Sequence, residues 1–95
     1  YIFVHVALNM KIEDPFQDIK TMIWGRDSAD LMDAEWLGNR KLIHGHTPLE
    51  LKEIQASHKM NDPILNIDNG AFLEKKNYGS LCILELENNV VSFIQ

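Results

Sequence analysis

The sequence predicts a mixed α/β fold in which short strands alternate with helical segments and an antiparallel hairpin closes the chain. Three observations carry that expectation. Ile2–Leu8 is an apolar run broken only by His5, as in a strand buried on both faces. Apolar residues then recur at helical spacing between Pro15 and Trp24. The chain ends in two short apolar runs, Leu81–Leu86 and Val90–Ile94, separated by Glu87-Asn88-Asn89. A length of 95 residues allows one domain, 1–95, with a small core.

Each element has a local reason. Asp14 offers a helix cap and Pro15 suits the first helical position. Phe16, Ile19, Met22 and Ile23 form the stripe, Trp24 closes it and Gly25 ends it. This helix would supply the crossover that a parallel first pair of strands needs. Ser28–Met32 reads as a short helical turn and Gly38-Asn39 as a turn. Lys41–His44 is the second strand, ended by Gly45. Thr47-Pro48 opens a polar connection, and Leu49–His58 reads either as helix or as irregular chain. Asn61-Asp62-Pro63 marks a turn before the third strand, Ile64–Ile67, which gives way to Asp68-Asn69-Gly70. Glu74–Asn77 is a solvated loop, and His58 sits exposed on a loop or helix. Trp24 and Trp36 read as packing residues.

A formal net charge of −5 gives no long-range attraction for nucleic acid or an anionic membrane. Cys82 is the one cysteine, so neither an intrachain disulfide nor a thiolate zinc cluster can form. That usage points to a reducing, cytoplasmic compartment. No apolar run approaches the roughly 20 residues that span a bilayer, and the first apolar stretch lacks a basic region ahead of it. The opening at Tyr1, directly into a strand-like run, points to a fragment, although a small intact domain has the same composition.

Two histidines fall at the carboxyl ends of predicted strands, His5 after the first and His46 after the second. Ligand sites in open α/β sheets lie there, and the two rings converge if the strands are neighbours. Neutral imidazole is the commonest nitrogen ligand of first-row metals. Equally, His5 reads as a core histidine bonded to backbone. His44-Gly45-His46 reads as a His-x-His pair with both rings on one face, or as chance.

The neighbours of these residues carry a family resemblance. His44-Gly45-His46-Thr47-Pro48 resembles the Gly-His-Thr-Pro signature of the phosphoprotein-phosphatase-like branch of the calcineurin-like metallophosphoesterases. That branch includes bacterial serine/threonine phosphatases and symmetrical diadenosine tetraphosphatases. Ile2–His5 with Leu8-Asn9 is similar to the family's Phe-Val-His-Ala-Gly-Leu-Asn-Pro segment. Met22–Asp27 looks like its Leu-Trp-x-Arg segment, Ile67–Ala71 like its Ile-Asp-Thr-Gly segment, and Tyr78–Leu81 like its Tyr-Gly-Gly-x-Leu. The five matches run in the family's order over nearly the whole chain.

The resemblance implies the carboxy-terminal half of a four-layer αββα sandwich, with a mixed sheet and a terminal hairpin. It implies a metal-dependent phosphoesterase of serine/threonine-phosphatase type acting on a phosphorylated substrate. His5 and His46 would bind the second metal of a dinuclear centre, Mn2+ or another divalent ion. Arg26 would hold the substrate phosphate, His44 would lie behind the ligands or near the phosphate, and Asp68 would orient a ligating ring. Without the resemblance, Arg26 reads as a surface residue pairing with Asp27 or Asp30, and Asp68-Asn69-Gly70 as a simple turn.

The sequence also departs from the family. Val6-Ala7 stands where the family has Ala-Gly, Met10 replaces its proline and Asn69 its threonine. Ala7 is expected to shift the loop and weaken His5 as a ligand, and Ala7, Met10 and Asn69 together suggest relaxed constraint on the site. The family's Asp-x-His, Gly-Asp-x-x-Asp-Arg-Gly and Gly-Asn-His-Asp/Glu segments are absent, so the chain by itself is expected to be inactive. Its partner is then the missing amino-terminal half or a second copy of itself. A stand-alone remnant with a structural or binding role, and without metal or catalysis, is the alternative. A third reading is an unrelated metalloenzyme using His5, His44 and His46 as a triad.

Overall fold

The computed structural model describes all 95 residues, Tyr1–Gln95. In chain order it contains β1 (Ile2–Phe3), α1 (Ile19–Trp24), α2 (Ala34–Leu37), β2 (Leu42–His44), α3 (Leu51–Lys59), β3 (Ile64–Asn66), β4 (Leu81–Glu85) and β5 (Val90–Ile94). Two 3-10 turns, Pro15–Gln17 and Ala29–Leu31, flank α1.

The strands β1, β2 and β3 lie side by side in that order and are all parallel. β2 is central, which is why Leu42, Ile43 and His44 are all buried. The hairpin β4–β5 is antiparallel and forms a sheet of its own. The expected single mixed sheet is therefore two sheets, one of each sense. A mixed α/β fold is present, with crossovers through α1 and α2 between the first two strands and through α3 between the next two.

The register sets the faces, because successive side chains in a strand point to opposite sides. Ile2, Leu42 and Ile64 share a row. Ile2 and Leu42 pack with Leu8, Met10 and Leu37, and Val4, Met22, Met32, Trp36 and Ile64 close around them. Phe3, Ile43 and Leu65 form the opposite row. There Phe3 is 59% exposed, and an open groove of about 260 Å³ runs past it to His5 and Ile67. α3 packs against β3 and buries Ile54.

The long apolar run at the start yields only two strand residues. Val6, Ala7 and Leu8 are buried, but in a loop anchored by Val6 N–H to Met22 O at 3.0 Å and by Met10 N–H to Leu31 O at 2.9 Å. Burial, not strand pairing, explains their apolar character. Ala7 is buried without a left-handed backbone, so the loop makes no demand for glycine there.

The helix expected over Pro15–Trp24 is split. Asp18 accepts from Thr21 N–H and from the Thr21 hydroxyl, capping a new helix four residues after Pro15. Those bonds hold its carboxyl below the ordinary aspartate range. Phe16, Ile19 and Ile23 remain exposed, and Trp24, expected to pack, is 76% exposed. Trp36 does pack: its ring lies 5.8 Å from that of Phe16, with the Arg40 guanidinium 4.4 Å above it. Leu49–His58 resolves in favour of helix, with Glu53 accepting the Glu50 N–H at 3.0 Å at its start. His58 is half-buried on α3 and donates from Nε2 to Asn89 O at 2.9 Å, tying the hairpin tip down. No helix is long and apolar enough to cross a membrane.

Candidate functional site

Parallel neighbours β1 and β2 deliver His5 and His46 to one place. Pairing continues past the strands: Val4 N–H donates to Ile43 O at 3.1 Å, and Gly45 N–H to His5 O at 3.0 Å. His5 Nε2 and His46 Nδ1 are 3.0 Å apart, with ring centroids separated by 4.7 Å and planes inclined at 60°. Both residues are exposed.

His46 holds a φ of 76°. The left-handed region costs a residue with a Cβ about 1 kcal/mol or more. That conformation also separates His46 from His44. β2 ends at His44, so the strand alternation that would put both rings on one face stops there.

His44 instead turns inward. Its side chain is 1% exposed, Nδ1 lies 3.2 Å from Gly45 O, and Nε2 lies 3.1 Å from Asp27 Oδ2. The Asp27 contact has ion-pair distance without the alignment of a good hydrogen bond. No group of three or more His, Cys, Asp or Glu side chains converges to hold a metal. The three-histidine arrangement is thus not assembled: two rings meet and the third points at Asp27.

Arg26 makes no ion pair, with Asp27 and Asp30 included. It is exposed and lines a groove of about 490 Å³ with Asp27, Thr47, Leu49 and Asn66. Thr47 directly follows His46, and its carbonyl is held by Asn66 Nδ2–H at 2.7 Å.

Asp68 hydrogen-bonds neither His5 nor His46. Its Oδ1 accepts Gly70 N–H at 2.8 Å, the local turn that its neighbours favour. It nonetheless sits close to the histidine loop: a Cβ on Gly45 would lie 3.3 Å from Asp68 Cβ, so glycine admits the close approach.

The residue that sequence reasoning undervalued is Asn69. It is buried and fully bonded, with Nδ2 donating to Leu49 O at 2.9 Å and Asn77 O at 3.0 Å, and Oδ1 accepting Ser80 N–H at 2.9 Å. It ties the 45–50 connection to the 67–80 loop and holds that loop to itself.

Cys82 lies half-buried on β4, and burial, with the Asp68 charge adding, pushes its thiol up to about 11. Alkylation by iodoacetamide at neutral pH is expected to run far slower than for an ordinary thiol near 8.5. A raised thiol also stabilises the fold only while protonated. Thermal stability should therefore hold below about pH 9 and fall as pH rises towards 11, and Cys82→Ser should remove that fall.

Fold and site define an α/β module that presents a paired-imidazole centre beyond the carboxyl ends of two parallel strands. No protein-family model, curated protein or solved structure matches the chain.

Proposed function

We propose that the chain supplies half of a divalent-metal phosphoesterase centre of the calcineurin-like, serine/threonine-phosphatase type. The observation that carries this reading is the 3.0 Å approach of His5 Nε2 to His46 Nδ1. Two nitrogens about 2.1 Å from one tetrahedral ion lie about 3.4 Å apart, so the rings, hydrogen-bonded at 3.0 Å, need part only slightly to share one. The strained φ of His46 adds support, since backbone strain gathers where function requires it.

The two imidazoles suit Zn2+ better than the harder Mn2+, which would bind more weakly through His5 Nε2 and His46 Nδ1. When bound, such an ion supplies Lewis acidity and an acidified water. The free guanidinium of Arg26 offers a planar fork to phosphate oxygens in the groove beside Thr47. Asp68 acts here as a turn former close to the histidine loop.

Two nitrogens leave the coordination incomplete, so the remaining ligands come from a further segment or a partner, and the chain alone is inactive. Such a segment has apolar surface to cover: Phe3, and Leu81, Ile83, Val90 and Ile94 on one face of the hairpin, are exposed. A reducing, cytoplasmic setting suits the single thiol. The second reading is a binding or structural remnant without catalysis, in which the 3.0 Å hydrogen bond between the His5 and His46 rings is a structural tie.

Calorimetric titration with Mn2+ and Zn2+ tests the proposal. The expected result is one weak site per chain. Absence of binding by either ion at millimolar concentration would leave the remnant reading.

A further inference from the structure

The half-centre described above uses neither the buried ring of His44 nor the carboxylate of Asp27, and the two meet. Buried polar nitrogens need partners. His44 Nδ1 has Gly45 O; Nε2 has no aligned hydrogen bond, and Asp27 Oδ2 at 3.1 Å is the carboxylate against it. Asp27 belongs to the irregular stretch 25–28 between α1 and the Ala29–Leu31 turn. Neither Arg26 nor Asp27 takes part in a backbone hydrogen bond outside the regular elements, and Arg26 has no side-chain partner. The contact with His44 is therefore the one polar tie between this dipeptide and the parallel sheet.

That tie has a consequence for Arg26. Its guanidinium opens on the groove of about 490 Å³ whose other wall is Thr47, next to His46, and Asn66. Where the Asp27 carboxylate is held, the preceding residue is held too. We infer that His44 is a positioning residue: through Asp27 it fixes the loop that carries Arg26, and so sets the guanidinium to receive an oxyanion in the groove it shares with Thr47 and Asn66. The positioning stands on the contacts alone, while the oxyanion rests on the phosphoesterase reading.

The test uses the full chain, free of metal, in 15N NMR. Phenylphosphonate, a non-hydrolysable phosphate-ester mimic, is the probe. Asp27→Asn and His44→Gln should each increase the fast mobility of the Arg26 and Asp27 amides and weaken phenylphosphonate at the Arg26 Nε–H by about fivefold. The double variant should bind no worse than the weaker single one, as expected of two residues acting as a unit. His5 and His46 ring signals should stay in place in Asp27→Asn. Asp27 is exposed, so that variant keeps the test intact even where His44→Gln fails to fold. Wild-type mobility and affinity in Asp27→Asn, or losses that simply add, would overturn the inference. A wild-type chain that ignores phenylphosphonate would refute the oxyanion role, and the amide mobilities would still decide the positioning. Metal binding is read separately by calorimetry, so failure of the half-centre is distinguishable from failure of this link.

Discussion

Asn69→Ala is expected to lower stability by about 3 kcal/mol, read as a shifted midpoint in urea unfolding with an unchanged slope. The effect is large because three bonds vanish at once. Ser80 N–H loses its acceptor in a buried setting, and the carbonyls of Leu49 and Asn77 lose a shared donor. Leaving a buried group unsatisfied costs more than the net worth of the bond removed. Asn69→Asp should also be poorly tolerated, since it keeps an acceptor for Ser80 but sets a carboxylate against two carbonyl oxygens. Asn69→Thr should fall between the two, because one hydroxyl donates once. Stability within about 0.5 kcal/mol of wild type in Asn69→Ala would show that the clamp is dispensable.

The second large effect concerns the paired rings. His5→Ala and His46→Ala are each expected to reduce divalent-ion affinity by about 100-fold or more, to below detection, because one imidazole alone is a poor site. The stability of these variants separates a ligand from a structural pair. His46 is exposed and strained at a φ of 76°, so His46→Gly should abolish binding and yet stabilise the fold by about 1 kcal/mol. A histidine kept for packing would show the reverse, with stability lost on every substitution. Thermal melts of His46→Gly and His46→Ala beside calorimetry decide between the two.

How much of this was legible in the sequence follows from physics that acts locally or does not. Leu42 and Ile43 are apolar because β2 lies between two neighbours, and a strand there was readable from these residues with Gly45 ending it. The hairpin was readable from its turn residues, with Asn89 taking a φ of 52°. The first strand was over-read, because Val6, Ala7 and Leu8 are buried in a loop and apolarity reports burial before conformation. The split at Asp18 was missed because a capping aspartate inside an apolar stripe competes with the helix it interrupts. Trp24 was misplaced for a related reason: its periodic position matched a stripe that does not face the core.

The site divides in the same way. That His5 and His46 meet depends on a crossover of about forty residues bringing β1 beside β2, and the strand-end rule anticipated it. The inward turn of His44 was not readable, since it follows from the end of β2 and the left-handed backbone of His46. Nor was the contact with Asp27, which joins the loop after α1 to the end of β2. Asn69 was legible only as a departure from a pattern, and its role emerges from the two loops it bonds.

The sharpest measurement is 113Cd NMR of the chain with 15N-labelled histidine. A single cadmium resonance split by scalar coupling to both His5 Nε2 and His46 Nδ1 is the predicted result. Coupling to neither nitrogen, with the two rings bonded only to each other, would contradict a shared ion.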